Sequence, residues 1–317
     1  MGHVKVAKFL ISRGADVNKP TIDGASPLFA ASQNGHVEVV RLLVENGADI
    51  RMTALGACPL FAACEAGRAD VARALIDDYG GNVHSVANEG MTALYVASGR
   101  GHMEVVRALV ARGADVLETA NNGESPLYAA CLAGRLDIAK LLVAHGADVH
   151  HASTDGLSPL YIAASEGHLA VARFLVGKGV DVNARTEVGA TALYVACQNN
   201  HCAVARLLIG RGADVNLCLY DSLYSPLLIA CQQGHASVAR LLIEHRARSK
   251  HVSCTGISPL GIAEIRGHQD VVRLLLEEEE EEEEGKEEEA PVVGDNFVLA
   301  TRNELRTTRK CPRCCRY

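Results

Sequence analysis

The sequence predicts an all-α solenoid: stacked helix-turn-helix units joined by β-hairpin-like finger loops. Two observations carry that prediction. A tetrad of the form Ser/Thr-Pro/Ala-Leu-aromatic begins at Ser26, Cys58, Thr92, Ser125, Ser158, Thr191, Ser225 and Ser258, with gaps of 32, 34, 33, 33, 33, 34 and 33 residues. Around each anchor the same phrase returns: a Gly two residues before, an Ala pair after, then Gly-His, Val-x-x-Leu-Leu and Gly-Ala-Asp-Val. Self-similarity at a fixed period of this length marks supersecondary units that bury their apolar faces only by stacking on one another.

One repeat, residues 155–187, justifies each element in turn. Asp155-Gly156 makes a turn, and Ser158 caps a helix whose first position is Pro159, where a missing N–H costs nothing. Leu160, Ala163 and Ala164 share one helical face. Glu166-Gly167-His168 turns the chain into a second helix carrying Val171, Phe174 and Leu175, which Gly179 ends in a left-handed cap. Val180-Asp181-Val182-Asn183 then crosses, extended, to the next turn.

Composition supports thin layers. Apolar residues make up 48% of the 317 positions while aromatics make up 4% and Trp is absent, so the packing falls to Ala, Val and Leu. No apolar run approaches the ~20 residues of a membrane helix. The N-terminus reads directly into a repeat, with no signal peptide, and Val6 spoils Met1-Gly2 as a myristoylation start. Of eleven cysteines, Cys64, Cys131, Cys197 and Cys231 fall six residues after an anchor, the slot that holds Ser32 and Ser98 elsewhere. Packed helical layers lie ~8–10 Å apart, farther than the ~7 Å a disulfide spans, so these read as small core residues in a reducing compartment.

Charge is unevenly placed. Of the net −7, residues 277–289 carry −10 and residues 290–317 carry +4, leaving −1 on the array 1–276. A nucleic-acid binder would show a basic face. The chain divides into an N-terminal half repeat (1–22), eight repeats (23–276), an acidic low-complexity run (277–289) and a basic, Cys-containing disordered tail (290–317). The half repeat lacks the first helix that would shield Val4–Leu10, which reads either as a truncated or alternative start or as a natural, frayed cap.

The repeat resembles the ankyrin repeat, most closely in Ser26-Pro27-Leu28, in Gly35-His36-Val37-Glu38-Val39-Val40 and in Gly212-Ala213-Asp214-Val215-Asn216. The resemblance covers residues 2 to about 276. It implies protein–protein recognition by a scaffold or adaptor, through the fingers and the concave helix face, without catalysis. It also makes the finger asparagines Asn18, Asn183 and Asn216 candidate substrates for asparaginyl hydroxylation.

The departures from the family pattern are specific. The histidine that follows Thr-Pro-Leu in the family is replaced by Phe29, Phe61, Tyr95, Tyr128, Tyr161, Tyr194, Leu228 and Gly261. Rings ~10 Å apart cannot stack, because aromatic pairs need centroids within about 7 Å, so something must lie between them. One ring per layer reads first as interlayer packing, and second as a contact stripe. The finger Leu217–Tyr224 is one residue longer than the others, and Leu223 replaces its turn glycine. Its apolar residues suggest either a partner surface or a loop folded back on itself. The next finger inverts in charge, with Arg246, Arg248 and Lys250 in place of Gly-Ala-Asp-Val-Asn. The acidic run from Glu277 starts about one layer, ~10 Å, away, close enough to fold across it and mask it, against a plain acidic linker.

Catalytic signatures are missing. The chain has no Gly-x-Ser-x-Gly elbow, P-loop, His-Glu-x-x-His or dinucleotide fingerprint. His3, His36, His102, His168, His201, His235 and His268 share a turn slot that Arg68 and Arg135 also fill, which marks a structural position. His145, His150, His151 and Asp155 cluster near one finger without a spacing that converges metal ligands. Cys311, Cys314 and Cys315 are one ligand short of a zinc site, and Cys314-Cys315-Arg316-Tyr317 lacks the aliphatic pair of a prenylation signal.

The expected partner-binding residues are Leu219, Tyr220, Leu223 and Tyr224 on the long finger, combined with Gln198, Asn199, Gln232, Gln233 and Arg266 on the helices. The expected partners are other proteins, with no cofactor, no metal, no nucleic acid and no membrane beyond a weak C-terminal lipid-anchor reading. The chain is expected to act as a monomer in the cytoplasm, with the nucleus as the alternative. The rival reading is a regulatory fragment of a larger kinase, channel or ubiquitin-ligase adaptor whose working domain lies elsewhere.

Overall fold

Small anchors and tight turns build the architecture. In this computed structural model the described residues are 3–54 and 56–288, with side chains followed to Glu280. The basic tail and the readings on Cys311, Cys314 and Cys315 lie outside them. In chain order the helices are α1 (Val4–Ser12), α2 (Pro27–Gln33), α3 (Val37–Glu45), α4 (Pro59–Glu65), α5 (Ala69–Asp77), α6 (Ala93–Arg100), α7 (Met103–Ala111), α8 (Pro126–Leu132) and α9 (Leu136–Ala144). They continue as α10 (Pro159–Ser165), α11 (Leu169–Val176), α12 (Ala192–Gln198), α13 (Cys202–Ile209), α14 (Pro226–Gln233), α15 (Ala236–Glu244), α16 (Pro259–Arg266) and α17 (Gln269–Glu288). The result is an all-α repeat solenoid, divided into two compact units between Asp181 and Val182. In the first unit the even-numbered helices α2 to α10 pack in one row and the odd-numbered α1 to α11 in another; in the second, α12, α14 and α16 face α13, α15 and α17.

Each anchor starts its helix for a visible reason. The side-chain oxygen of Ser26, Thr92, Ser125, Ser158, Thr191, Ser225 or Ser258 accepts the N–H of the residue three positions on, at 3.0–3.2 Å. Cys58 makes the same cap with sulfur at 3.5 Å. The cap uses one of the donors that the first helical turn leaves without a partner.

The shared turn slot joins one layer to the next. His102, His168, His235 and His268 each hold Nε2 at 3.0 Å from a carbonyl of the preceding repeat: Glu65, Leu132, Gln198 and Gln232. A carbonyl only accepts, so each ring carries a proton on Nε2. Arg68 does the same work, its Nε donating to the Gln33 carbonyl at 3.1 Å. All five acceptors stand seven residues after their anchors. The glycine before each clamp is held by space as well as by φ: a Cβ on Gly67, Gly134 or Gly234 would lie 2.6–2.7 Å from the next repeat's imidazole.

The fingers form a second ladder. No strand forms among the described residues, and the hairpin-like fingers reduce to tight loops, two of them closed by isolated bridges between Ala54 and Ala57 and between Val86 and Thr92. Asn18 donates to the Gly47 carbonyl at 2.9 Å and accepts the Asp49 N–H at 2.8 Å; Asn183 repeats this with Gly212 and Asp214, and Asn216 with Arg246 and Arg248.

The six-after-anchor slot is fully buried in every repeat where it holds Ser or Cys: Ser32, Cys64, Ser98, Cys131, Cys197 and Cys231 are all 0% exposed. In the slot after the anchor, Phe61, Tyr128, Tyr194 and Leu228 are buried, while Phe29, Tyr95 and Tyr161 are half-buried. Between two of the rings lies a carboxylate: the Tyr95 hydroxyl donates to Glu124, whose charge also acts on Tyr128. One feature runs against expectation. The acidic run continues α17 as helix through Glu288 rather than leaving it as a linker, in keeping with the good helix propensity of straight-chain Glu. On α1, Val6, Phe9 and Leu10 are each half exposed, so its apolar face stays open.

Burial makes the fold sensitive to alkali. It pushes the Cys131 and Cys231 thiols up to about 12, raises Cys64 and Cys197 as well, and, with Glu124 adding to it, pushes Tyr128 up to about 12. These groups are neutral in the folded state and ionise in the unfolded chain above about 8.5 (Cys) and about 10 (Tyr), so their stabilisation is complete below those values and is lost as pH rises toward 12. Thermal unfolding followed across pH 7 to 11 should show Tm falling from about pH 8.5. Replacing all four buried cysteines by Ser should remove the first part of that fall, because Ser98 already occupies the slot with its hydroxyl donating to the Leu94 carbonyl at 2.7 Å.

Candidate functional site

The surface left open by this packing follows one register. Positions seven and eight after each anchor lie at the end of the first helix of the repeat. In the first unit these positions, with the ring slots and the fingers, line a groove of about 660 Å³. Phe29, Phe61 and Tyr95 supply its aromatic side, and Met91, Val96 and Leu132 extend its apolar floor. Gln33, Asn88, Glu65 and Arg100 bring polar groups to it, with Arg100 Nη2 donating to Glu65 Oε1 at 3.0 Å. The space exists because the residues around it are small: Ala54 and Ala57 on a finger that closes in one residue fewer than its neighbours, then Ala87, Gly99, Ala129 and Ala133.

In the second unit the same register holds Gln198 and Asn199 at the end of α12, Gln232 and Gln233 at the end of α14, and Arg266 at the end of α16. All are exposed except Gln232, which is half-buried. Ile265, in the same register and 71% exposed, belongs to this row and escaped the sequence reading, although counting seven from Ser258 finds it.

The long finger behaves as half surface, half clasp. Tyr220 is 54% exposed and Leu223 43%, while Leu219 and Tyr224 are half-buried. The Arg185 guanidinium stacks on the Tyr220 ring at 4.2 Å from its centroid, donates to the Gly189 carbonyl at 3.1 Å and also reaches the Cys218 carbonyl. The Tyr220 N–H bonds the Val188 carbonyl at 3.1 Å, and His251 Nε2 donates to the Leu223 carbonyl at 2.8 Å. The finger is thus stitched to both neighbours. Leu223 sits at φ +54 where the other repeats place glycine. The finger leads into the N-terminus of α14, and Gln232 and Gln233 end that helix. The finger and the Gln232–Gln233 pair thus stand at opposite ends of α14, about 12 Å apart along the helix.

No group of three or more possible metal ligands converges among the described residues. His151 Nε2 instead donates to the Gly123 carbonyl at 2.9 Å, and His145 Nδ1 to Leu141 at 2.8 Å. Among the same residues no helix is long and apolar enough to cross a membrane.

A stack of two-helix layers with tight fingers, clamped at a fixed turn position, defines a helical repeat protein. The family model described as ankyrin repeats (3 copies) matches residues 1–87, 79–153, 146–218 and 217–284, and the chain belongs to the ankyrin repeat family. Ankyrin repeats are in general protein–protein interaction modules. No curated protein matches the chain. The finger asparagines Asn18, Asn183 and Asn216, candidates for hydroxylation by family resemblance, all have their amides engaged between fingers.

Two substitutions separate surface from clasp in the long finger. Tyr220→Ala should lower stability by about 0.5–1 kcal/mol through loss of the Arg185 stack. Leu223→Gly should raise it by about 1 kcal/mol by removing a side chain from left-handed backbone. Chemical denaturation of the full chain measures both.

Proposed function

We propose that the chain is a non-catalytic scaffold or adaptor that recognises partner proteins, and that the groove lined by Phe29, Phe61, Met91, Tyr95 and Leu132 is its principal seat. The groove itself is the observation that supports this reading. An apolar floor with a few polar groups at its edge is the anatomy of a recognition surface, where a buried aromatic or aliphatic anchor contributes most of the affinity and the polar rim sets orientation. The residues Gln198, Asn199, Gln232, Gln233 and Arg266 continue the same register as a polar row, and Leu219, Tyr220, Leu223 and Tyr224 offer a second, separate contact. Small, fully buried thiols and turn-bound imidazoles leave the described repeats few reactive side chains, which favours binding over catalysis. The eight described cysteines are all free thiols, which fits a monomer working in the reducing cytoplasm or nucleus.

Peptides selected by display against the full chain test the assignment. Leu132 is 40% exposed, so Leu132→Glu should leave Tm within about 2 °C of wild type. It should weaken the selected peptides about tenfold or more by placing a charge on the groove floor. Undiminished binding by Leu132→Glu would remove the groove as the seat.

A further inference from the structure

The finger that precedes α16 gives up two local structural rules, and each time a positive charge takes the place. Gly14, Gly47, Gly113, Gly146, Gly179 and Gly212 turn the chain at φ +82 to +96 after their second helices; here Arg246 does so at φ +64. Two residues on, Asp16, Asp49, Asp115, Asp148 and Asp214 each accept the N–H of the second following residue at 2.8–2.9 Å and hold the finger from within. Arg248 occupies that place and cannot accept. Its own N–H still donates to Asn216 Oδ1 at 2.9 Å, and its carbonyl accepts the His251 N–H at 3.2 Å. A neutral Gly and an Asp would serve the fold better at these positions, and local rules broken together in one direction mark a site kept for another purpose.

The charges face a cleft. Arg246, Arg248, Lys250 and His251 form one side of a space of about 630 Å³, and Glu278, on α17 at the start of the acidic run, forms the other. Arg246, Arg248 and Lys250 are exposed. Three cations in three alternating positions present guanidinium and ammonium donors to carboxylates. A carboxylate of the same chain already stands at that wall.

We propose that this finger docks a carboxylate-rich peptide segment of a partner protein, and that Glu278 stands in the cleft as a built-in competitor that the partner displaces. The inference deepens the protein-recognition reading by naming a partner chemistry, at a surface separate from the groove. Charge complementarity sets the affinity and makes it fall with salt. Competition from within the chain keeps it low until the incoming segment brings several carboxylates at once.

Fluorescence anisotropy of a labelled peptide of alternating Glu and Gly, titrated with the full chain at low and physiological salt, tests this. Glu278→Gln should tighten binding about threefold or more by removing the competitor. Arg246→Gly and Arg248→Asp should each weaken it about tenfold. The same two variants should raise Tm by about 1–4 °C, since each restores the finger rule, so lost binding cannot be lost folding. Leu132→Glu should bind the acidic peptide as wild type does, which separates this site from the groove. The proposal is overturned if Glu278→Gln leaves affinity unchanged, if the Arg246 and Arg248 variants bind like wild type, if a Lys-Gly peptide binds equally well, or if a single-stranded oligonucleotide binds more tightly than the peptide.

Discussion

A layer of two helices, each mostly seven to nine residues long, cannot stand by itself, and the rest of the molecule depends on how one layer is fastened to the next. The fastening is a side chain that reaches backward. From the turn between the helices, an imidazole or guanidinium extends to the carbonyl that ends the previous repeat's first helix, 35 to 37 residues earlier. That carbonyl is one of the acceptors a helix leaves unpaired at its C-terminus, so a single bond caps one repeat and locates another. The same approach forbids a Cβ on the turn residue of the preceding repeat, where Gly35, Gly67, Gly101, Gly134 and Gly234 stand against the incoming ring or guanidinium. Glycine before histidine is therefore one constraint with two members in successive layers.

Much of this was legible in the sequence because it is written several times. The anchor caps, the buried six-after-anchor slot and the positive-φ glycines each repeat, and repetition separates a rule from an accident. Even the exceptions could be read: Leu223 and Arg246 were conspicuous as side chains in glycine positions, and both adopt left-handed backbone. What stayed hidden was everything that depends on a partner outside the repeat's own phrase. Glu124 precedes an anchor as an ordinary loop residue, yet its carboxylate lies between two tyrosines of adjacent layers. Tyr220 reads as an exposed ring, and nothing local shows that Arg185, 35 residues earlier, stacks on it. The groove was missed for a related reason. It is made by the smallness of Ala54, Ala57, Ala87 and Ala129, and residues that leave room carry no mark in a sequence.

The variation between repeats is concentrated where it costs least. The clamp and the caps take close substitutes, Arg for His and Cys for Ser, as does a turn glycine in Asn200 at φ +63. Finger length and finger composition vary freely. The finger closed by Ala54 and Ala57 is one residue short and opens the groove, while the one closed by Leu219 and Tyr224 is one residue long and is tied to both neighbours. Because each layer touches only the next, a change in one finger is felt by one or two others and the array absorbs it without a global adjustment.

This locality explains how features of opposite character coexist in one chain. An apolar groove, a clasped finger and a basic finger beside an acidic helix would conflict around a single core, where each polar or strained group would have to be reconciled with every other. In a stack they need only be compatible with the layer on either side. A strained Arg246 is tolerated because Ala247 beneath it is buried and Asn216 still joins its finger to the one before. Strain at the edge of a repeat protein is thus confined to the edge. That confinement lets a fold with one repeated structural phrase carry several unlike surfaces.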